Sequence, residues 1–516
     1  MASDKFAAWT RVKPSVFDVS GTERDVIVLY GYILDGRLDL DALKQAWQKL
    51  CQTWPVLVAR LRKGANSKAP SEWHYMLPPD AQVQNVVAAD MSDSRPASHR
   101  SLLIEEVEGK IRDLHPFVEG RELPQDRPTI HPTGRVIDTK PKTRSKLTLM
   151  FASNAPLTIG HLFTDDRPMV TAKVTRFTDA TAIGISLPHV LCDGPGACEV
   201  MKAWAALANG DDANVGPLPK FGEDSFTPLA PGGKLAEDEA TALAQSGKKT
   251  LTAPFGWYAY SLMETISFGM RFAWDLFWQR PESTIEFRDM FLPKKYLEEQ
   301  KAAAMAEIKS KPGAGEQDYV STSDICVALT LKRMCTPDVR GPNDKRIVSF
   351  LYPANLRWLP GAADSVPLPD PYLHNGAYTI SLPELPIGKI VHGMSVAELA
   401  LEVRHAIQRD TQPEAIRRGL IWRLANAHKL LLFFRPSNFW LVGTNWRAMN
   451  LFGISFEKAL DQSAPESGTG RCRKLWAQTI SEVPIRNSFG LVGDDPAGGT
   501  WVGMALSTSQ WKKIVD

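Results

Sequence analysis

One short segment, Pro188-His189-Val190-Leu191-Cys192-Asp193-Gly194, reads as His-x-x-x-Asp-Gly and could do chemistry. Imidazole suits general-base work because its ordinary pKa, about 6.5, lets it take up and return a proton near neutrality. Two duties are open to Asp193: orienting the imidazole as in a triad, or turning away to brace the loop against an arginine. The plainer reading of these residues is a buried structural imidazole beside a helix-capping aspartate. A chain with 10 His yields His-x-x-x-Asp on the order of once by chance. The second match, His161 to Asp165, is taken as that chance case, because only the His189 copy carries the glycine.

The elements around His189 support its selection. Ala182-Ile183-Gly184-Ile185-Ser186-Leu187 reads as a strand ending at His189, preceded by another from Met169 to Val174. A helix is expected from about Gly196 to Ala208, with Val200, Trp204 and Leu207 on one face and Asn209-Gly210 as its stop. A strand-loop-helix junction holds side chains rigidly at a cleft. His161, by contrast, is expected in a polar loop.

Elsewhere, Asp39 or Asp41 caps a helix through Leu50, and Pro55 ends it before an expected strand Val56–Leu61. Residues 64 to about 145 read as polar and proline-punctuated, with one helical stretch near Leu102 to Leu114. Residues 211 to 250 lack apolar periodicity and read as a linker. The second half offers helices near Pro293–Glu307 and Ser323–Met334. Its expected strands lie near Arg346–Tyr352, Ala377–Leu382, Phe439–Val442 and Trp501–Ala505.

No Gly-x-Ser-x-Gly elbow accompanies the motif, which disfavours a serine nucleophile. No third ligand stands near His189 and Asp193, and the six cysteines form no CxxC or zinc-finger spacing, so no metal is expected.

Further segments extend the pattern. Trp204-Ala205-Ala206-Leu207-Ala208-Asn209-Gly210, Phe291-Leu292-Pro293 with Tyr296-Leu297, and Ser321-Thr322-Ser323 through Leu329 follow in order. Then come Ala354-Asn355-Leu356-Arg357, Pro367-Leu368-Pro369, Tyr372 to Gly376, Thr444-Asn445-Trp446-Arg447, and Gly498 to Leu506. In this order and spacing, from about residue 30 to 506, the chain resembles the BAHD acyltransferases, the acyl-CoA-dependent family marked by HxxxD. It is similar to fungal members such as trichothecene and polyketide O-acetyltransferases. Two places depart from the family pattern: Asn375 follows His rather than Gly, and Ser455-Phe456-Glu457-Lys458-Ala459 stands where members carry Asp-Phe-Gly-Trp-Gly.

The resemblance implies an α/β (α+β) architecture of two chloramphenicol-acetyltransferase-like domains, mixed sheets flanked by helices, with a tunnel at their interface. The expected partition is 1–215 for the first, 216–285 for a crossover with an aromatic helix, and 286–516 for the second. It further implies His189 as general base and Trp446 as oxyanion donor with Thr444 beside it. Asp193 would pair with Arg357 next to Gly194 as a structural brace. The co-substrate would be acyl-CoA, with no permanently bound cofactor, and the acceptor a hydroxyl, secondarily an amine, of a small hydrophobic metabolite. Two rivals stay open: a carrier-protein-dependent transferase releasing a polyketide or peptide, and a relative that binds ligand or guides cyclisation without acyl transfer.

Composition bounds the rest. Lys+Arg of 60 against Asp+Glu of 58 offers no nucleic-acid footprint, and 44% hydrophobic residues exclude a disordered or fibrous class. Without a leader-like N-terminus or an 18-residue apolar run, a cytoplasmic monomer with reduced thiols is expected. Phe255 to Trp278 is rich in aromatics but interrupted by Glu264, Arg271 and Asp275. It reads as a helix packed on a core, as a cover over an apolar substrate, or as a weak membrane-surface contact. Trp257, Trp274, Trp278, Trp440 and Trp446 are expected around an apolar tunnel and its cover.

Overall fold

The computed structural model describes the chain apart from residues 1–5, 20–22, 65–71, 115–123, 137–149, 157, 165, 247–251, 282–283, 314, 316–317, 360–361, 364–365, 465–467, 481–485, 497 and 516. Two large sheets carry it. The first has five strands in the order Cys472–Ile480, Ile27–Asp35, Ala180–Pro188, Thr171–Arg176 and Leu102–Glu106. Ile27–Asp35 is a continuous apolar run buried on both faces, and it pairs antiparallel with the motif strand from Ile27↔Pro188 to Asp35↔Ala180. That register sets Tyr30 opposite Ile185.

On this sheet lies the motif helix, Gly194–Ala208, whose buried face includes Cys198, Met201 and Trp204. It packs on the helix Leu40–Thr53: Trp204 meets Trp47 edge to face at 4.7 Å and donates its indole N–H to the Leu43 carbonyl. Asp39 caps that second helix by accepting the Asp41 and Ala42 amides.

The second sheet runs Ala377–Ser381, Ile347–Asn355, Phe439–Asn445, Ser488–Asp494, Gly499–Ser507, Ile285–Pro293 and Thr129–Val136, with Leu385–Pro386 pairing on Ile347–Asn355. Three adjacent strands, Ile347–Asn355, Phe439–Asn445 and Ser488–Asp494, are parallel and the others antiparallel, a mixed sheet. Helices Lys294–Ser310, Thr322–Cys335 and Val396–Asp410 pack on it. The sheets exchange strands across the expected partition: Thr129–Val136 joins the second sheet and Cys472–Ile480 the first.

Several local expectations are corrected. Val56–Leu61 is a 3-10 turn, Pro55–Val58, before a strand that starts at Arg60, because the fixed φ of proline suits a first helical position. Leu102–Glu106 is a strand paired parallel with Thr171–Arg176, and only Ile111–Leu114 is helical; pairing and burial override helix propensity here. His161 sits in a short helix, Ile159–Thr164, that buries Ile159 and Leu162; its partner in the chance motif, Asp165, lies outside the described residues. Residues 211 to 250 contain a helix, Lys234–Gln245. The aromatic segment begins as a two-residue strand, Tyr258–Ala259, and turns helical only at Leu262, after Ser261 forms a capping box with Glu264. Ile27–Asp35 was not foreseen, because a strand buried on both faces shows no alternation.

Candidate active site

His189 follows the last residue of the motif strand and is half-buried. Both its backbone groups are held: its N–H donates to the Val26 carbonyl at 2.8 Å, and its carbonyl accepts Asn375 Nδ2 at 2.8 Å. Its imidazole makes no hydrogen bond among the described residues. These hydrogen bonds therefore hold the main chain from which the ring projects.

Asp193 does not reach that ring. Its Oδ1 caps the motif helix by accepting the Gly196 amide at 3.0 Å. Its Oδ2 accepts Arg357 Nη1 at 2.8 Å, Asn355 Nδ2 at 3.0 Å and the Gly376 amide at 2.9 Å. Burial by itself would raise the carboxyl pKa, but the Arg357 charge and hydrogen bond, with the Gly196 and Gly376 amides, outweigh it and hold the pKa below the ordinary value. Arg357 also donates to the Tyr372 and His374 carbonyls, pinning the segment that ends at Gly376.

Gly194 opens the motif helix where three groups converge. A Cβ there would lie 3.3 Å from Met449 Cε and 3.4 Å from both Trp446 Nε1 and the Tyr30 hydroxyl. Gly196 is needed for closeness of another kind, since a Cβ would meet the Leu373 carbonyl at 2.3 Å. The Trp446 and Tyr30 rings lie 5.6 Å apart, and neither the indole N–H nor the phenol donates to another described residue. Burial first, then Cys192, Cys198 and Asp193, push the Tyr30 phenol well above its usual pKa, so it stays a donor. Thr444 lies on the strand Phe439–Asn445, which ends one residue before Trp446, and pairs opposite Gly490, with its hydroxyl 3.2 Å from where a Cβ of Gly490 would stand.

Sequence reasoning missed the residues that hold the His189 carbonyl through Asn375. Asp18, fully buried, accepts the Ser15 and Asn375 amides, Asn375 Nδ2 and His374 Nδ1, the last at 2.7 Å. Asn375 therefore joins Asp18 to the His189 carbonyl. The only trace of this brace in the sequence is the His374-Asn375-Gly376 run. Ser321 caps the helix Thr322–Cys335 through Asp324, which accounts for it structurally. Phe456, the one position kept in the degenerate segment, is fully buried against Trp204.

Not every expected tunnel residue faces inward. Trp274 and Trp278 are exposed at the surface, stacked on each other at 5.3 Å. No group of three or more His, Cys, Asp or Glu able to hold a metal occurs among the described residues.

The Transferase family model matches residues 151–252, the stretch spanning the motif strand, His189–Gly194 and the motif helix. Over 97% of its length the chain is 25% identical to an acetyltransferase of Mycosarcoma maydis, MATC1, covering 95% of that protein. It is 22% identical to an O-acetyltransferase of Phomopsis amygdali, PaAT-2, over 97% of this chain and 96% of that one. Its fold resembles that of F. sporotrichioides TRI101, solved with coenzyme A and T-2, with a TM-score of 0.59 over 98% of this chain and 97% of that one at 11% identity. The fold is of the chloramphenicol-acetyltransferase-like kind. In sequence the chain is similar to fungal acetyltransferases along nearly its whole length, and in fold to TRI101.

Proposed function

We propose that the protein transfers an acyl group from acyl-CoA to a hydroxyl of a hydrophobic specialised metabolite, with His189 as general base. The observation that carries this is the convergence of two uncommitted donors, Trp446 Nε1 and the Tyr30 hydroxyl, on the Gly194 end of the loop that begins at His189.

In this reading the imidazole takes the acceptor proton as the acceptor oxygen attacks the thioester carbonyl. The C–S bond then breaks, and the same proton passes to the departing thiolate. Charge that develops on the carbonyl oxygen meets the Trp446 N–H, with Tyr30 close by and Thr444 further along the strand. Asp193 has no relay duty, because its lone pairs are taken by Arg357, Asn355 and two amides. The O-acetyltransferase relative and the coenzyme A bound by the structural neighbour support hydroxyl acceptors and CoA donors.

The test is thiol release from a panel of acyl-CoAs with an extract of metabolites, followed by mass spectrometry. His189→Ala should lower turnover by at least about 100-fold, the lower end of general-base contributions. Activity within a few-fold of wild type would sink the general-base assignment. Turnover that needs an acyl-carrier protein would overturn the CoA reading.

A further inference from the structure

The helix Leu262–Trp274 and the turn that continues it to Gln279 hold a surface that the reaction above does not use. No residue of that helix is buried. Leu262, Ile266, Met270, Trp274 and Trp278 recur every four residues as one stripe, with Met263 beside it, and their exposures run from 46% at Ile266 to 75% at Leu262. Apolar stripes this large are rarely left in water without a partner.

The helix is firmly held in this attitude. On its inner side Phe268 contacts Phe434 at 5.6 Å, and Phe434 stacks on Trp440 at 5.6 Å. At its far end Asp275 is bound by Arg280 at 2.6 Å and by the buried Arg486 at 3.0 Å. A helix fastened by aromatic contacts on one side and a buried ion network at its end presents the stripe rather than hiding it.

Charge indicates what covers it. Arg271 is exposed on the helix itself. The neighbouring strand Leu431–Leu432, which pairs with Tyr258–Ala259, is flanked by exposed Lys429 and Arg435, the latter over the Tyr258 ring at 4.7 Å. The two carboxylates of the segment are engaged: Glu264 by its own Ser261 cap, and Asp275 by the arginines. An apolar stripe with tryptophans and a cationic border fits the interfacial zone of an anionic bilayer. No helix among the described residues is long and apolar enough to cross a membrane, so the contact lies in the plane of the surface.

We propose that this stripe docks the protein on an anionic phospholipid surface. Behind the helix, Trp440 stacks on Phe434 and lies on the strand Phe439–Asn445 that leads to Trp446, which stands on the order of 20 Å further along the chain.

The experiment is co-sedimentation of the full chain with phosphatidylcholine vesicles with and without phosphatidylserine, together with tryptophan emission and light scattering. Wild type should bind phosphatidylserine vesicles with a blue-shifted emission, and bind phosphatidylcholine alone at least about fivefold more weakly. Met270→Glu with Trp274→Glu should weaken vesicle binding at least about 10-fold. The melting temperature should stay within a few degrees of wild type, because both side chains are more than half exposed. Arg271→Glu with Lys429→Glu should erase the preference for phosphatidylserine while leaving the melting temperature unchanged. Absence of vesicle binding by wild type, or equal binding by the Glu variants, overturns the proposal. So does a dimer that Met270→Glu with Trp274→Glu dissociates in a protein that ignores vesicles, which would assign the face to a second copy.

Discussion

Asp193 Oδ2 accepts a hydrogen bond from Arg357 Nη1 at 2.8 Å, and among the described residues no hydrogen bond joins Asp193 to the imidazole four residues earlier. The pair ties the His189–Gly194 loop of the first sheet to the second, and its energetics can be read from both sides. Arg357→Ala leaves a buried carboxylate with only neutral donors and should cost about 3–5 kcal/mol of stability. Asp193→Asn combined with Arg357→Ala should cost less than the sum of the two, and urea unfolding of all four proteins measures the difference.

The same pair sets an acid limb. The folded-state pKa of Asp193 lies below its unfolded value, about 3.9, so its contribution is fully present above that value. It is lost as pH falls from the unfolded value through the folded one. Melting temperatures taken down through this range should fall less steeply in Asp193→Asn than in wild type. Parallel curves would rule out this linkage.

Trp446→Phe keeps a ring and removes the indole N–H, whose nitrogen lies 3.4 Å from where a Cβ of Gly194 would stand. Turnover should drop on the order of 100-fold with little change in KM, since an oxyanion donor acts mainly in the transition state. Tyr30→Phe removes only a hydroxyl from the same corner and should lower turnover by a smaller factor, about 10-fold. A KM effect without a kcat effect in both variants would move these residues from stabilising charge to binding substrate.

Asn375 connects Asp18 to the His189 carbonyl. Asn375→Ala leaves Asp18 Oδ1 with one donor fewer in a buried place and should cost about 1–3 kcal/mol. Because it also frees the main chain from which the imidazole projects, kcat should fall while the pH dependence of the general base keeps its shape. Chemical denaturation and a pH–rate profile separate the two effects.

All six cysteines are buried and none is paired. Burial, the foremost influence on each, pushes the Cys198 thiol up to about 11 and the Cys326 thiol up to about 12. Native protein should therefore show almost no fast reaction with a thiol reagent near neutral pH, and six equivalents after denaturation.

Local chemistry was legible in the sequence, and long-range closure was not. His189 to Gly194 could be read because a strand end, a cap and a helix start all lie within a dozen residues. Trp446 and Arg357 became visible only through the ordered set of family-like segments, since nothing within either one marks a site. Tyr30, Asp18 and the role of Asn375 escaped. Tyr30 lies within an apolar run that shows no period, and Asp18 and Asn375 meet across 357 positions. The outward turn of Trp274 and Trp278 was equally hidden: aromatic content marks apolar surface but not what covers it.

The exchanged strands carry a consequence for recombination. The first sheet receives its last strand, Cys472–Ile480, from late in the chain, and the second receives Thr129–Val136 from early in it. Each half thus clasps the other, and Tyr30 sits on the strand to which the late arrival pairs. A chimera cut between the halves would graft foreign strands onto both sheets, one of them beside the strand that presents the phenol to Gly194. Exchange of acceptor preference between relatives is therefore better sought in surface loops and single side chains than by trading halves.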